Sequence, residues 1–437
     1  MTSVQPMAQT LPERAPLVSV VMSNFNGASY LEAALASVLG QSHRALELIV
    51  VDDASQDDSL AILHRVAAGD SRLRIISQPH NTGPAGARNA ALKSARGEWI
   101  AIVDADDLMH PHRIKRLLAV AQTKGVDAIA DDLVSFGSAQ TAGKTLLEDR
   151  QLTAPLTLTA AELIQSDTVT SGLGSFGYLK PMIHRNALGT LRYDETLRVG
   201  EDFDLYARLL IYGVSFLVVP APLYLYRRHS GSISHRLSVP VLQKLLDANG
   251  TLAHRATQHR PQDSDLQAAF IGRAAVLERA LRYQRLVDAL KARKGVEGLR
   301  RLIRDPVLLL DLGASLADRL RRRTPETGVP AKPWTLVMAD PERVGQLSAP
   351  LDAIRIPVSA NDAEPDADWA AQRSLASRLV KLTGDALPDV IAEGPAGLEG
   401  LGYLPAWRSA RLMLDARTAQ HAIVPPGVAV EVLAGQS

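Results

Sequence analysis

The 437-residue sequence contains no cysteine, which excludes disulfides, thiolate metal centres and a cysteine nucleophile. It also lacks a charge bias. Its 48 basic side chains stand against 47 acidic ones, so the overall charge names no partner, and nucleic acid is not expected among them. Nor does it open on a basic stretch followed by an apolar run. "MTSVQPMAQTLPERAP" reads as a flexible leader over residues 1–15 and not as a signal peptide. The longest apolar stretch, "LLIYGVSFLVVPAPLYLY" (209–226), is interrupted by two prolines and a glycine. It is crowded with β-branched and aromatic residues, and so predicts a helix end followed by a buried strand instead of a membrane span. No internal repeat is present.

What the chain does have is alternation. "LVSVVMS", "LELIVVDD", "LRIISQ", "EWIAIVDADD" and "VDAIADD" read as buried strands, and the segments between them as helices. In the first helix Leu31, Ala34, Leu35 and Val38 share a face; the second ends at Gly69, and the helix after the fourth strand has Pro111 in its first turn. Continuous apolar strands alternating with helices imply an α/β fold with a mostly parallel sheet covered on both faces. The length allows two or three domains. The predicted units are a first α/β half over 16–130, a looser second half over 131–238, a basic helical region over 239–325 and a small C-terminal α/β or irregular domain over 326–437. The basic helices contain "KARK", "LRRLIR" and "RLRRR". They suit an anionic membrane surface, a homodimer interface or a plain solvated face.

Ligands of open α/β sheets bind beyond the carboxyl ends of the strands, and the polar clusters fall there. Ser23 and Asn24 follow strand one, Asp52 and Asp53 strand two, and Asp104, Asp106 and Asp107 strand four. An Asp-x-Asp at a strand end can hold a divalent cation through hard oxygens, or it can be an acidic turn before a helix. Asp53 can accept a base N–H, and Ser55 or Asp57 can cap the next helix. Arg88 begins a helix on the same rim, as a phosphate or base-carbonyl contact or as a surface ion pair. Glu201 and Asp202 open a helix after Gly200, either as caps or as a general base. "YRRHSGSISHR" gathers Arg227, Arg228, His229, Ser232 and Ser234 into one loop that could close over a diphosphate. There His229 is a metal ligand or an ordinary hydrogen-bonding group.

Six segments in order, "VSVVMSNFNG", "ELIVVDDASQDDS", "GPAGARNAAL", "GEWIAIVDADDLMHP", "GEDFDLYARLL" and "LYRRHSGSIS", resemble the family 2 glycosyltransferases, inverting enzymes of the GT-A fold. The likeness is to the exopolysaccharide and succinoglycan-type transferases in particular, and it covers residues 17–235. It implies that Ser23 and Asp53, with Asn24 and Asp52 beside them, hold the uracil or other base of a nucleotide-sugar, and that Arg88 supports the base or diphosphate. Asp104 would reach the ribose or the metal, Asp106 would ligate Mn²⁺ or Mg²⁺, and Asp107 would orient the loop. Asp202 would be the catalytic base with Glu201 placing donor or acceptor, while Arg227, Arg228 and His229 would close the diphosphate and metal side. The implied partners are a nucleotide-sugar donor and a saccharide or lipid-linked saccharide acceptor. The implied location is the cytoplasm, with any membrane contact at the inner face of the plasma membrane.

Two departures narrow this expectation. The Gln-x-x-Arg-Trp motif and membrane helices of processive synthases are absent, "YRRHS" standing in the corresponding region, so a single sugar is expected to move. A sugar nucleotidyltransferase would need a glycine-rich, arginine-bearing loop after strand one, which "SNFNGASY" does not supply. A carbohydrate-binding or scaffold protein on a decayed transferase domain would be expected to lose Asp106 or Asp202, and both are present.

Overall fold

The computed structural model describes residues 15–137, 141–150, 152, 154–167, 174–229, 237–293 and 295–313. Beyond them it describes the stretches 335–339, 354–357, 369–383, 389–392, 412–415 and 430–433 and Tyr403. The predicted leader, apart from its last residue, lies outside these, as do Ser232 and Ser234.

The predicted alternation is realised as β1 (Val18–Asn24), α1 (Ala28–Leu39), β2 (Leu46–Asp52), α2 (Ser59–Gly69), β3 (Leu73–Ser77), α3 (Gly83–Ser94) and β4 (Trp99–Asp104). A two-residue strand β5 (Leu108–Met109), helix α4 (Arg113–Lys124) and strand β6 (Ala128–Phe136) follow. Strand β2 is buried along its whole length and β1 almost so, as strands covered by helices on both faces must be. Leu31, Ala34, Leu35 and Val38 of α1 are all fully buried against them. Gly97, just before β4, packs so close to β1 that a Cβ there would stand 2.4 Å from the Ser19 nitrogen.

The second half adds β7 (Leu156–Thr157), α5 (Ala160–Ser166), β8 (Met182–His184), α6 (Arg185–Leu188), α7 (Glu201–Ile211) and β9 (Phe216–Arg227). The stretch 209–226 is thus a helix end and a buried strand, as its prolines indicated. The sheet runs β3-β2-β1-β4-β8-β6-β9-β5, with β7 beside β9. Strands β1 to β4 and the β6–β9 pair are parallel, while β5, β7 and β8 run antiparallel to their neighbours.

Helices α8 (Val239–His259), α9 (Ser264–Lys291) and α10 (Gly295–Arg304) then pack beside this body. No described helix is long and apolar enough to cross a membrane. The C-terminal strands form a second, five-stranded sheet, parallel at every pairing: Thr335–Ala339 lies between Ile354–Pro357 and Asp389–Ala392, followed by Leu412–Asp415 and Val430–Leu433. A helix, Trp369–Thr383, accompanies it, and Tyr403 sets its ring 4.8 Å from that of His110.

Strand β6 carries two consecutive buried acids at a bulge between Asp131 and Leu133. Asp131 takes a forked contact from the fully buried Arg113, at 2.7–3.0 Å. Asp132 has no cation so close. Its Oδ1 accepts the backbone N–H of Leu133 at 2.8 Å and of Leu147 at 3.1 Å, and burial pushes its carboxyl up to about 7 despite them. A carboxyl that stays protonated when folded but ionises near pH 4 when unfolded loses stability as pH rises between those values. Asp132→Asn keeps the acceptor and removes the proton. Its urea midpoint should exceed that of the wild type at pH 7, and the gap should close towards about pH 4. A gap independent of pH would rule this assignment out.

Candidate active site

Strand register sets the site. Asn24 is paired with Asp52 and Ser23 with Asp104, so the ends of β2, β1 and β4 stand level along one rim. The chain leaves this rim through two non-glycine residues with positive φ, Asn26 and Ala54. Such conformations are uncommon outside turns and functional loops.

The first part of the rim is tied into itself. Asp52, buried, accepts Asn24 Nδ2 at 2.9 Å and the Ser55 N–H at 3.1 Å. Asp53 accepts the Thr82 N–H (2.8 Å), the Thr82 hydroxyl (3.0 Å) and the Gly83 N–H (2.8 Å), which satisfies the first donors of α3. Ser55 accepts the Asn26 N–H, and Asp57 accepts the N–H of Ala28 and of Ser59, one at the start of each flanking helix. Asp53 and Asp57 therefore serve the starts of helices, while Asp52 and Ser55 tie the turn after β2 to Asn24 and Asn26. Ser23 remains half-buried at the strand end.

The second part is a buried knot of charge. Arg88 is 3% exposed and reaches Asp104 at 2.6 Å, Glu201 at 2.7 Å and Asp202 at 3.3 Å. The surface ion pair considered for this arginine is in fact an interior one. Lys180 places its Nζ 2.8 Å from Asp104 and 2.8 Å from Asp202. Two cations thus hold three carboxylates brought from β4 and the first turn of α7. That turn is set by Gly200, whose φ of 82° favours glycine and where a Cβ would meet Leu245 Cδ2 at 2.8 Å.

These pairings decide the ionisation. Burial pushes Asp104 up, but the Lys180 ammonium and the Arg88 guanidinium outweigh it and hold its carboxyl well below the usual range. Glu201 goes the other way, raised by burial and by the Asp202 charge against the pull of Arg88. Burial alone would lower the Lys180 pKa, yet Asp104 and Asp202 raise it well above the ordinary lysine value.

The third part is the acidic turn after β4. Oxygens of Asp104, Asp106 and Asp107 lie within 4.8 Å of one another, and their environments differ. Asp107 is fully buried, accepts the Tyr224 hydroxyl at 2.8 Å and the Arg227 N–H at 2.7 Å, and has its pKa raised well above normal by burial and by Asp106 and Asp104. Asp106 is the most open, with a side chain 35% exposed and His229 Nε2 at 2.9 Å. Arg227 donates from Nε to the Asp106 carbonyl at 2.8 Å and stacks over Phe136 and Tyr30. Arg228 joins through its backbone N–H, bonded to the Phe136 carbonyl at 2.8 Å. The acidic turn and the arginine-histidine segment, far apart in sequence, therefore meet.

Residues 19–175 match the family described as Glycosyl transferase family 2. The succinoglycan biosynthesis protein ExoO of Rhizobium meliloti (strain 1021) is 33% identical over 316 residues, 71% of this chain and 88% of that protein. The chain belongs to the family 2 glycosyltransferases. A second relative, ExoU of the same organism, also a succinoglycan biosynthesis protein, is 36% identical over 225 residues, 50% of this chain and 65% of its own length. Among solved structures, S. aureus TarS 1–349 in complex with UDP-GlcNAc is 19% identical with a TM-score of 0.49, over 59% of this chain and 72% of that one. The mostly parallel sheet with helices on both faces is the GT-A arrangement of the family.

Sequence reasoning missed Lys180 and Tyr224. The signal for Lys180 was a single charge inside "YLKPMI", an otherwise apolar run, where a cation needs a partner to be buried. Removing it should expose the dependence. Lys180→Met leaves Asp104 and Asp202 sharing Arg88 alone and should cost about 3–5 kcal/mol in urea unfolding. Adding Asp202→Asn should recover a large part, as coupled neighbours do in a double-mutant cycle. Strictly additive losses would show that the lysine does not act through Asp202.

Proposed function

We propose that this family 2 glycosyltransferase moves one sugar, with inversion, from a nucleoside diphosphate donor to a hydroxyl of a saccharide or lipid-linked saccharide. We take the donor to be a UDP-sugar and the pathway to be bacterial exopolysaccharide biosynthesis. The observation that carries this reading is the meeting, at one strand rim, of Asp202 with Arg88 and Lys180 and of Asp106 with His229. The pathway rests on the succinoglycan names of the two relatives.

Asp202 is the general base. One of its oxygens, Oδ2, is fixed by Lys180, while Oδ1 is buried without a hydrogen bond, with Arg88 Nη1 3.3 Å away as an ion-pair partner, and is the oxygen left to take a proton from an acceptor hydroxyl. Lys180 and Arg88 hold this carboxylate in place, and Glu201 orients the sugar beside it. The base sits at Ser23 with Asn24; Asp52 and Asp53 shape that end by fixing the loop and the start of α3. Arg227 and Arg228, with His229, stand on the diphosphate side, where cations favour a departing anion. No enzyme nucleophile is required, because one displacement from the face opposite the leaving group inverts the anomeric carbon.

The acidic turn fits a hard divalent cation, Mn²⁺ or Mg²⁺, because its carboxylate oxygens lie within 4.8 Å of one another and Asp106 is partly open. Asp104, Asp106 and His229 would hold it, and when bound it would supply positive charge to the leaving diphosphate. Asp107, committed to Tyr224 and Arg227, positions the turn. Transfer of a single sugar is supported by "YRRHS" standing where processive enzymes carry Gln-x-x-Arg-Trp.

A panel of nucleotide-sugars assayed for turnover with Mn²⁺ and with EDTA tests the whole reading; no turnover of any donor would leave only a binding protein. Asp202→Asn should keep donor affinity and lower transfer by about 10²–10⁴-fold; near-normal transfer would remove it as the base. Asp106→Ala should weaken UDP binding at saturating Mn²⁺ by about tenfold or more. Unchanged affinity there would return Asp106 to a plain acidic turn.

A further inference from the structure

Helix α10 carries an apolar face that is left exposed. Its sequence, "GVEGLRRLIR", spaces Val296, Leu299 and Ile303 on one face, and beyond the break at Asp305 and Pro306 the helical residues 307–313 add Val307 and Leu310. That face looks outward. Val296 is 79% exposed, Leu299 59%, Ile303 70%, Val307 45% and Leu310 71%. A run of large apolar side chains this exposed marks an interaction surface.

The helix is not free to roll this face inward. Its opposite side is seated on α9, where a Cβ on Gly298 would meet Leu290 at 3.0 Å and Leu286 at 3.9 Å. Two ion pairs hold the following turn to α9, Arg282 with Asp305 at 2.9 Å and Arg279 with Asp311 at 2.7 Å. The apolar face is therefore a built feature of the packed helices.

Charge identifies what covers it. The groove beside the face is lined by Arg282, Arg293, Arg300, Arg301 and Arg304 against only Glu297 and Asp305. Glu297 is used by Arg301 at 2.6 Å and Asp305 by Arg282. Arg293, Arg300 and Arg304 are exposed, and no carboxylate among the described residues pairs with them. A second copy docked by two-fold symmetry would set arginines against arginines. A small anion would engage the arginines and leave the apolar face in water. An anionic bilayer satisfies both, since acyl chains take the apolar face while phosphate headgroups take the guanidinium groups.

We propose that α10 and the turn after it form an interfacial docking element that seats this chain on an anionic phospholipid membrane. The geometry stands apart from the transfer reaction, so the two readings can fail separately. Full-length protein is sedimented with vesicles of phosphatidylcholine alone, or of phosphatidylcholine and phosphatidylglycerol in equal parts, at low and high salt. Binding is expected only to the anionic vesicles, weakening with salt. Arg300→Glu with Arg304→Glu should reduce it by about 30-fold or more, and Leu299→Ser with Ile303→Ser by about tenfold or more. Both pairs lie on the surface and should keep the wild-type circular dichroism and UDP affinity. Failure to bind anionic vesicles, or variants that bind as well as the wild type, would overturn the proposal. So would a dimer on gel filtration that Leu299→Ser with Ile303→Ser turns into monomer, which would assign the face to a second copy.

Discussion

Burial of charge at the ends of the central strands is the constraint around which this molecule is organised. Arg88, Lys180, Asp104, Glu201 and Asp202 come from α3, the segment before β8, the end of β4 and the start of α7. None of these groups can be taken from water alone without a penalty of several kcal/mol. Each is tolerable because the others are there, so the elements must arrive together. Arg113 extends the same logic one layer down. It binds Asp131, donates to the Lys180 carbonyl and lies under the Tyr224 ring, and thereby fixes the backbone from which Lys180 reaches the rim.

The acidic turn shows how one fold gives adjacent carboxyls different chemistry. Asp104 is pulled towards permanent ionisation by two cations, while Asp107, buried beside a phenol and a backbone N–H, is pushed towards protonation. Asp106, between them, keeps an exposed edge and a histidine. Environments that push neighbouring groups apart separate the oxygens that serve a ligand from those that hold the turn. The three residues are nearly contiguous in sequence, so only tertiary contacts could distinguish them: Arg88 and Lys180 for Asp104, His229 for Asp106, and β9 for Asp107.

Much of this was legible in the sequence, and the limits have physical causes. Strands β1, β2 and β4 could be read because a strand covered on both faces is continuously apolar, and the residues ending them had to lie on one rim. The choice between base contact and helix cap at Asp53 could not be read, because it depends on Thr82 and Gly83 arriving from another loop. Lys180 was hidden by its glycine-rich neighbourhood, and β8 by its length of three residues. The C-terminal region read only as α/β or irregular for the same reason: strands of four or five residues carry too few positions for a period to show.

The helices after β9 are bound to the site by direct packing. Leu245 of α8 closes on Gly200, the residue that launches Glu201 and Asp202. Arg273 of α9 pairs with Asp167 at 2.6 Å and lies over the ring of Phe203, the residue after Asp202. Helix α10 in turn is seated on α9. Under the docking proposed above, α10 would be joined to α7 through α9 by side-chain contacts. For an acceptor carried on a lipid, that continuity matters. The acceptor hydroxyl stands at a distance from the bilayer set by its anchor, and a general base helps only within hydrogen-bond reach of that hydroxyl. Contact of α9 with α7 through Arg273 and Phe203, together with its packing on α10, would hold the enzyme's side of that distance constant.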